Sequence, residues 1–553
     1  MDVRSMIPAV DRCELVPGQF TIDPTTSLDT TALPAHERGR IERLLRFLPF
    51  NLAWPVDAPF PAPADHRTIR LQLDPSSLGP EGYRIEVGPR SVDVIGGSMD
   101  GCSLAIATLR QLLPVDSYRQ HPAANIAWVL PCCSITDAPT LSWRGLLLDV
   151  SRHFLPKHGV LRLLERMADL RLNRLQLHLS DDQGWRFESK RFPLLHRRGS
   201  HRTRSQLSHF DEAPVFDETP HGGYYSQDDL REIVAFAADR AIVVVPEIDL
   251  PGHTGALIAA YPELGIPRRE QNEVGGEWGI SRSLIAPTPE AMAFIGELFD
   301  EIVDIFPSPW IHVGGDESRL SVWADDTATM TYAASIGVAS ARELFGRFLA
   351  DLSSIIGNRG RTPVIWDDAF ASAPQAAADA VVMAWRGLGV AQRAANAGRA
   401  VILAPVMPLY FDYAQSNDER EPMAIGGPIS LDDVAAFDPS GVGWTDDERR
   451  RIIGAQAQMW TEWVSSERQI DFALFPRLCA FAEVAWTGAP ADHTFSDRLA
   501  AHLLRLDAAG VEYRPPSGPH PWQQGGNGTR AHRNPWPLHD MLDRLERAAS
   551  IGE

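Results

Sequence analysis

The sequence predicts an α/β protein built on a (β/α)8 TIM barrel, preceded by a small α+β domain, and three observations carry that prediction. From Leu141 onward, eight short and nearly continuous apolar runs alternate with amphipathic helices; parallel strands buried on both faces need such crossovers on the outside. The polar residues that interrupt this pattern fall, in almost every unit, at or just past the C-terminal end of the apolar run, the face on which barrel enzymes build their sites. Before residue 141 the rhythm is different, with short alternating strands and dense proline. The expected organisation is therefore an accessory α+β domain over 1–140, a barrel over 141–490, and C-terminal helices and a tail over 491–553 packed on the barrel.

In the first domain, Thr68 to Leu73 (TIRLQL), Tyr83 to Val87 (YRIEV) and Ser91 to Ile95 (SVDVI) alternate with period two between turn residues. Pro55, Pro59, Pro61 and Pro63 punctuate the chain before them, and Met99 to Leu113 has helical spacing. Barrel strands are expected at Trp143–Val150, Leu172–Leu179, Ala241–Ile248, Trp310–Gly314, Thr362–Trp366, Ala380–Trp385, Ala400–Ala404 and Gly454–Trp460. Helices are expected at His158–Leu170, Ser226–Arg240, Glu290–Phe306 and Ala339–Ile356. Excursions at about 186–225 and 263–287 interrupt the repeat, and loops of that length shape or cover a site; the basic residues of the first are expected to line outer subsites. Past Trp486, a helix at Ser496–Ala509 should pack on the barrel. A Pro/Gly/Trp-rich stretch then leads to a last amphipathic helix near Met541–Ala549, whose apolar stripe calls for a core or an interface.

With 44% hydrophobic and 22% charged residues the chain has the composition of folded globular proteins. A formal charge of −20 argues against nucleic acid or an anionic membrane as partner, since either favours a basic surface. Five cysteines, with Cys132 and Cys133 adjacent, make no disulfide framework and fit reduced thiols. No secretory leader pattern and no run long enough to span a membrane is seen, so a cytoplasmic location is expected. The sequon Asn527-Gly528-Thr529 carries little weight in that setting.

Chemistry is expected where the fourth strand stops. Trp310 to Glu317 reads WIHVGGDE, an apolar strand running into two glycines and two adjacent carboxylates. Neighbours on an extended chain point to opposite sides, so Asp316 and Glu317 approach a ligand from different directions unless the turn re-aims them, and they should do different jobs. Around them the other strand ends supply Asp149, Arg152 and His153; His178, Asp181 and Asp182; Glu247, Asp249 and His253; Trp366, Asp367 and Asp368; Trp385 and Arg386; Tyr410 and Asp412; Trp460 and Glu462. No G-x-S-x-G elbow, P-loop or Rossmann fingerprint occurs in its required context, which removes support from acyl, phosphoryl and hydride transfer. Acid/base work remains, on a ligand with apolar faces and many hydroxyls, which describes a glycosidase pocket. A metal-dependent hydrolase barrel is the main competitor, but the first strand, LLLDV, lacks the pair of histidines such barrels usually carry. The histidines at 153, 178, 253 and 312 come one per strand, so no metal and no cofactor is expected. A non-catalytic sugar-binding barrel is a further alternative, which the intact Asp316, Glu317 and Tyr410 oppose.

HVGGDE at 312–317 resembles the H-x-G-G-D-E signature of glycoside hydrolase family 20, the β-N-acetylhexosaminidases. The resemblance extends to WRGLLLDVSRHF at 143–154, HLSDDQGWRFE at 178–188, PEIDLPGH at 246–253, WDD at 366–368, YFDY at 410–413 and WTEW at 460–463. It covers the whole barrel, and GYRIEV with GCSLAIATLRQL resembles the family's accessory domain. It implies exo-acting release of terminal non-reducing β-linked GlcNAc or GalNAc from oligosaccharides or glycoconjugates, with retention, the substrate's own acetamido oxygen acting as nucleophile. A member that releases a disaccharide, in the manner of a lacto-N-biosidase, is the nearest alternative. By the resemblance Glu317 is the acid and then the base, and Asp316 holds the acetamido N–H. Tyr410 donates to the acetamido oxygen, while Trp366, Trp385 and Trp460 wall the pocket. Arg144, Asp412 and Glu462 hold sugar hydroxyls, and Asp182 and His253 tune Glu317.

Overall fold

The computed structural model describes residues 5–52, 66–121, 125–266, 273–524 and 538–550; the prolines at 55–63 and the sequon lie outside these. Six strands form the N-terminal sheet: β1 (Arg12–Thr21), β2 (Ser27–Asp29), β3 (Thr68–Leu73), β4 (Tyr83–Val87), β5 (Ser91–Gly96) and β6 (Val129–Asp137), in the order β1-β6-β4-β5-β3-β2. Helices α1 (Arg38–Leu44) and α2 (Met99–Leu112) belong to the same domain. Ser98 caps α2, its hydroxyl accepting from the amides of Asp100 and Gly101. β1, β2 and β6 are absent from the sequence-based expectation, and β1 and β6 each contain a proline. The register of β1 against β6 shifts between Leu15 and Gln19, a bulge that accommodates Pro17-Gly18.

The barrel closes as expected, with strands β7 (Trp143–Asp149), β8 (Arg174–His178), β9 (Val243–Glu247), β10 (Trp310–His312), β11 (Thr362–Trp366), β12 (Val381–Ala384), β13 (Val401–Leu403) and β14 (Ile452–Met459), and β14 pairing back in parallel to β7. Helices α3 (Lys157–Asp169), α4 (Gln227–Asp239), α5 (Pro289–Ile305) and α6 (Ala341–Gly357) lie within a residue or two of the predicted ones. Further crossovers include α7 (Leu388–Asn396), and the chain ends in α8 (Phe495–Ala508) and α9 (Leu538–Ser550). Apolar side chains such as Leu147, Val245, Val364, Met383 and Ile402 fill part of the barrel interior. A buried polar ladder crosses the same interior: Trp143 Nε1 donates to Gln456 Oε1 at 2.9 Å, Gln456 to Gln176 at 2.6 Å, and Gln176 to Glu247 at 2.8 Å. Each member is satisfied by the next, which is what allows it inside an apolar core.

The N-terminal domain is fastened near the N-terminal ends of the barrel strands, the end away from the expected chemistry. Fully buried Arg171 pairs with Asp137 at 2.5 Å and lies over the Trp486 ring, whose Nε1 donates to the same carboxylate at 3.1 Å. Among the described residues no helix is long and apolar enough to cross a membrane.

At the opposite end of the barrel the chain after β10 bends sharply. Gly314 and Gly315 have φ of +69° and +96°, and Glu317 itself sits at +45°. A Cβ at position 314 would stand 1.6 Å from Asp249 Oδ1, so glycine is required both by conformation and by space. Gly314→Ala is therefore expected to lower unfolding free energy by at least about 3 kcal/mol, read from urea denaturation; a loss below about 1 kcal/mol would show that the turn relaxes freely.

Candidate active site

A cavity of about 590 Å³ opens at the C-terminal ends of the barrel strands, and Asp316 and Glu317 are in its wall. It also meets Arg152, Asp181, Asp249, His253, Trp366, Trp385, Tyr410, Asp412, Trp460 and Glu462. Of the residues singled out from the sequence, the structure brings Glu317, Asp316, Tyr410, His253, Trp366, Trp385, Asp412, Trp460 and Glu462 to this one space. Asp182 lies just behind it, and Arg144 is elsewhere.

A chain of alternating acids and bases leads from the barrel interior to the two carboxylates. The last residues of β8, β9 and β10 stand side by side, Glu247 in register with both His178 and His312. Glu247 accepts from His178 Nδ1 at 2.7 Å and Trp366 Nε1 at 2.9 Å, and His312 Nδ1 lies 2.9 Å from its carboxylate. Burial alone would raise this carboxyl, but the two imidazoles outweigh it and hold Glu247 well below the usual carboxylate range. His178 Nε2 next meets Asp181 Oδ2 at 3.0 Å, and Asp181 Oδ1 meets His253 Nδ1 at 3.2 Å. The other ring nitrogen of His253 is 3.7 Å from Asp316 Oδ2 and 3.6 Å from Glu317 Oε2. Burial opposes charge on His253, yet Asp181 and Asp316 hold it well above the ordinary histidine value, so it stands between the carboxylates as an imidazolium.

Asp249 completes the pair's surroundings. Its carboxyl is buried against Asp316, and burial followed by the Asp316 charge holds it well above the ordinary value, which favours its protonated form. Two clusters here, Asp181/Asp182/His253 and Asp249/His253/Asp316, have the residue types and spacing of metal ligands. Both use His253, however, and a ligating histidine must be neutral. As an imidazolium already offsetting the carboxylates, His253 fits a proton network better than an ion site.

The walls are aromatic. The Trp366 and Trp460 rings are 6.1 Å apart, Tyr410 and Trp460 6.4 Å, and Trp385 stacks on Tyr410 at 6.3 Å. Each is held from behind: Trp366 by Glu247, Trp385 by Asp368 Oδ2, which accepts its indole N–H at 2.6 Å. Burial, relieved only in part by Arg386, pushes Asp368 up to about 8. Burial and then Asp412 and Asp316 push the Tyr410 hydroxyl well above its ordinary value, keeping it a donor. Both carboxyl oxygens of Asp412, Asp316 Oδ1 and the Trp463 indole nitrogen are buried with no hydrogen-bond partner among the described residues. Such groups cost about 1–3 kcal/mol each, and a hydroxylated ligand would relieve them.

Arg144 does not reach this space. It sits at the N-terminal end of β7, fully buried, with its guanidinium 2.7 Å from Glu81 of the N-terminal domain and over the Trp486 ring at 5.0 Å. Strand direction decides this: Arg144 enters β7 and Arg152 follows it. Arg152 lines the cavity instead, its guanidinium 2.8 Å from Asp181, 3.2 Å from Asp149 and 4.0 Å from Glu462, and over the Trp460 ring at 5.1 Å. Asp182 also differs from its expected part. Its Oδ1 accepts from the Gly255 amide at 2.8 Å and its Oδ2 is 3.7 Å from His253, whereas Asp181 holds the closer contact. Adjacent acids cannot be told apart before the backbone direction is known.

The excursions contribute differently from what their charge suggests. Arg186 and Arg202 are buried beneath the loop, bonding backbone carbonyls, and Phe210 is what this excursion presents to the cavity. Trp278 and Ile280 come from the second excursion and Met541, Arg544 and Leu545 from α9. No local signal marked these residues.

A (β/α)8 barrel whose C-terminal face gathers paired carboxylates within a cage of tryptophans has the architecture of a glycoside hydrolase. The chain belongs to glycosyl hydrolase family 20: residues 141–489 match the family's catalytic domain and residues 3–138 its domain 2. It is 32% identical over 444 residues to a β-hexosaminidase of Akkermansia muciniphila, covering 79% of this chain and 86% of that protein. It is 34% identical over 456 residues to a β-hexosaminidase of Porphyromonas gingivalis, spanning 81% of this chain and 56% of that longer protein. Among solved structures it is similar to a Streptomyces plicatus β-hexosaminidase variant in complex with the product GlcNAc, with a TM-score of 0.79 and 29% identity over 94% of this chain and 98% of that one. The exo-β-N-acetylglucosaminidase of Vibrio harveyi in complex with N-acetylglucosamine gives 0.79 and 29% over 93% and 79%.

Two variants separate binding from scaffolding here. Arg144→Met is expected to destabilise the fold by about 2–4 kcal/mol, by removing the guanidinium that pairs with Glu81, while KM for a small glycoside stays within about twofold; a selective rise in KM would return Arg144 to the site. Asp182→Asn tests a pH window. Burial and the Asp181 charge push Asp182 up to about 6 from 3.8, so the folded state binds the extra proton between these values. The parent's stability from this group is highest below about pH 4 and is lost as pH rises to about 6. The variant should gain stability relative to the parent across that window, and parallel stability curves would refute the assignment.

Proposed function

We propose that the protein is an exo-acting β-N-acetylhexosaminidase that hydrolyses terminal non-reducing β-linked GlcNAc or GalNAc with retention. The observation that carries this reading is the chamber formed by Trp366, Trp385, Trp460 and Tyr410 directly beside Asp316. It has apolar walls for a methyl group, a hydroxyl donor for a carbonyl oxygen, and a carboxylate for an N–H, which together suit a 2-acetamido group. Asp412, Glu462 and Arg152 at the other side suit the sugar hydroxyls.

In this reading the acetamido oxygen, oriented by Tyr410, attacks the anomeric carbon. The bond to the leaving oxygen breaks, and Glu317 gives that oxygen its proton. Asp316 accepts from the acetamido N–H and offsets the positive charge of the oxazolinium that forms. Water then attacks the anomeric carbon, Glu317 takes its proton, and the acetamido group is released. His253 stands 3.6–3.7 Å from both carboxylates and stabilises whichever is charged. Cys102, Cys132, Cys133 and Cys479 are buried and form no disulfide, which supports a reducing compartment, the cytoplasm, as the place of action.

Glu317→Gln should lower kcat on 4-nitrophenyl β-N-acetylglucosaminide by about a thousandfold or more, with a smaller change in KM, and Asp316→Asn should also cripple turnover. The corresponding β-glucoside, which lacks the internal nucleophile, should not be turned over by the parent enzyme. Parent-like turnover by Glu317→Gln, or efficient hydrolysis of the β-glucoside, would sink the mechanism.

A further inference from the structure

The sequence leaves the last amphipathic helix without a task, and the structure seats it at the mouth of the cavity. α9 begins beyond residue 489, where the match to the family's catalytic domain ends. It packs on α7 and on the turn at Val406–Leu409, immediately outside Trp385 and Tyr410. Tyr413 Oη donates to Met541 Sδ at 3.4 Å, and Arg393 donates to the Ala549 carbonyl at 2.9 Å. Met541, Leu542, Leu545 and Ala549 face inward while Asp540, Asp543, Glu546 and Arg547 are exposed. The stripe is that of a helix laid against one surface.

Part of that surface is the cavity itself, since Met541, Arg544 and Leu545 line it. Which part of a substrate they meet follows from what is already enclosed. The acetamido chamber is closed by Trp366 and Tyr410, 1% and 8% exposed. The hydroxyl side is occupied by Arg152, Asp412 and Glu462, all on the barrel's own strand ends. Glu317, whose side chain is 33% exposed, marks the rim where the glycosidic oxygen lies. The lining outside these groups, including Phe210, Trp278, Ile280, Trp463 and the α9 residues, is what a leaving group beyond that rim would meet.

We propose that α9 builds the apolar wall of the leaving-group subsite, with Met541 and Leu545 packing on the flat C–H face of the first leaving-group ring. The helix thereby makes the choice of leaving group a property of this chain's C-terminal segment rather than of the family barrel. Methionine and leucine suit the task, because they follow the uneven face of a pyranose and exclude water from the bond being cleaved. The inference rests on the function proposed above.

Two variants test it: a chain ending at Gln524, and full-length Met541→Ala/Leu545→Ala. Each is assayed on N,N′-diacetylchitobiose, whose leaving group is a sugar ring, and by inhibition with free GlcNAc, which fills the inner chamber alone. Both variants should raise KM for the disaccharide by on the order of tenfold, the discrimination expected from losing apolar contacts to one ring, with the GlcNAc inhibition constant within about twofold of the parent. An unchanged disaccharide KM, or an equal rise in both constants, overturns the proposal. If the shortened chain fails to fold by circular dichroism and thermal melting, the double variant decides alone. A parent enzyme inactive on every aryl N-acetylhexosaminide would instead overturn the function itself, and this inference with it.

Discussion

The charge on Glu247 is the constraint on which the rest of the site depends. It is a carboxylate with no exposure to water, at the point where three barrel strands end, and it survives as an anion only because two imidazoles and an indole N–H converge on it. Each of those partners is thereby fixed. Trp366 is fixed as a wall of the chamber, His178 is oriented toward Asp181, and Asp181 in turn orients His253. A barrel interior is normally apolar packing; this one spends part of its volume on a ladder of side-chain hydrogen bonds, and the ladder sets the positions of groups two and three residues away from the reacting atoms.

That network also explains how so many carboxylates share one cavity. Asp181, Asp249, Asp316, Glu317, Asp412 and Glu462 would repel one another if all were charged and unpaired. Arg152 and His253 compensate Asp181, and Asp249 favours its protonated form beside Asp316. Asp412, like Asp249, is held well above the usual carboxylate range, here by burial and Glu462, and its two oxygens have no hydrogen-bond partner among the described residues. A site in this condition is stabilised by a ligand carrying hydroxyls in the right places, because each hydroxyl removes an unsatisfied acceptor from the apo state. Affinity for the sugar is partly relief of a cost already present in the empty protein.

Much of the architecture was legible because a parallel strand buried on both faces leaves a continuous apolar run, and all eight barrel strands do so within two residues of their observed ends. That Asp316 and Glu317 reach one cavity was legible too, although not the bend that aims them: left-handed backbone at Gly314 and Gly315 leads into the pair and Glu317 is itself left-handed. The failures share one reason. Arg144 and Arg152 flank the same strand, and Asp181 and Asp182 are neighbours; in each case choosing between them requires knowing which way a side chain points, and a motif contains both. Phe210 and Met541 belong to a different class, since nothing within a short window tells an apolar residue on a loop or a final helix that it will meet a cavity hundreds of residues away in sequence.

The position of α9 bears on how such a fold diversifies. The inner chamber cannot change without disturbing Glu247, because Trp366 and the histidine chain are tied to it, and every member of the chain is buried. The rim carries no such obligation. Phe210, Trp278 and the α9 residues arrive from the two excursions and the C-terminal segment, elements that leave the strand order and the polar ladder untouched when they vary. On the function and the helix role proposed above, the protein would separate two requirements in space: recognition of the acetamido sugar would be locked to the barrel's buried electrostatics, and recognition of what that sugar is attached to would fall to parts whose exchange costs the core little.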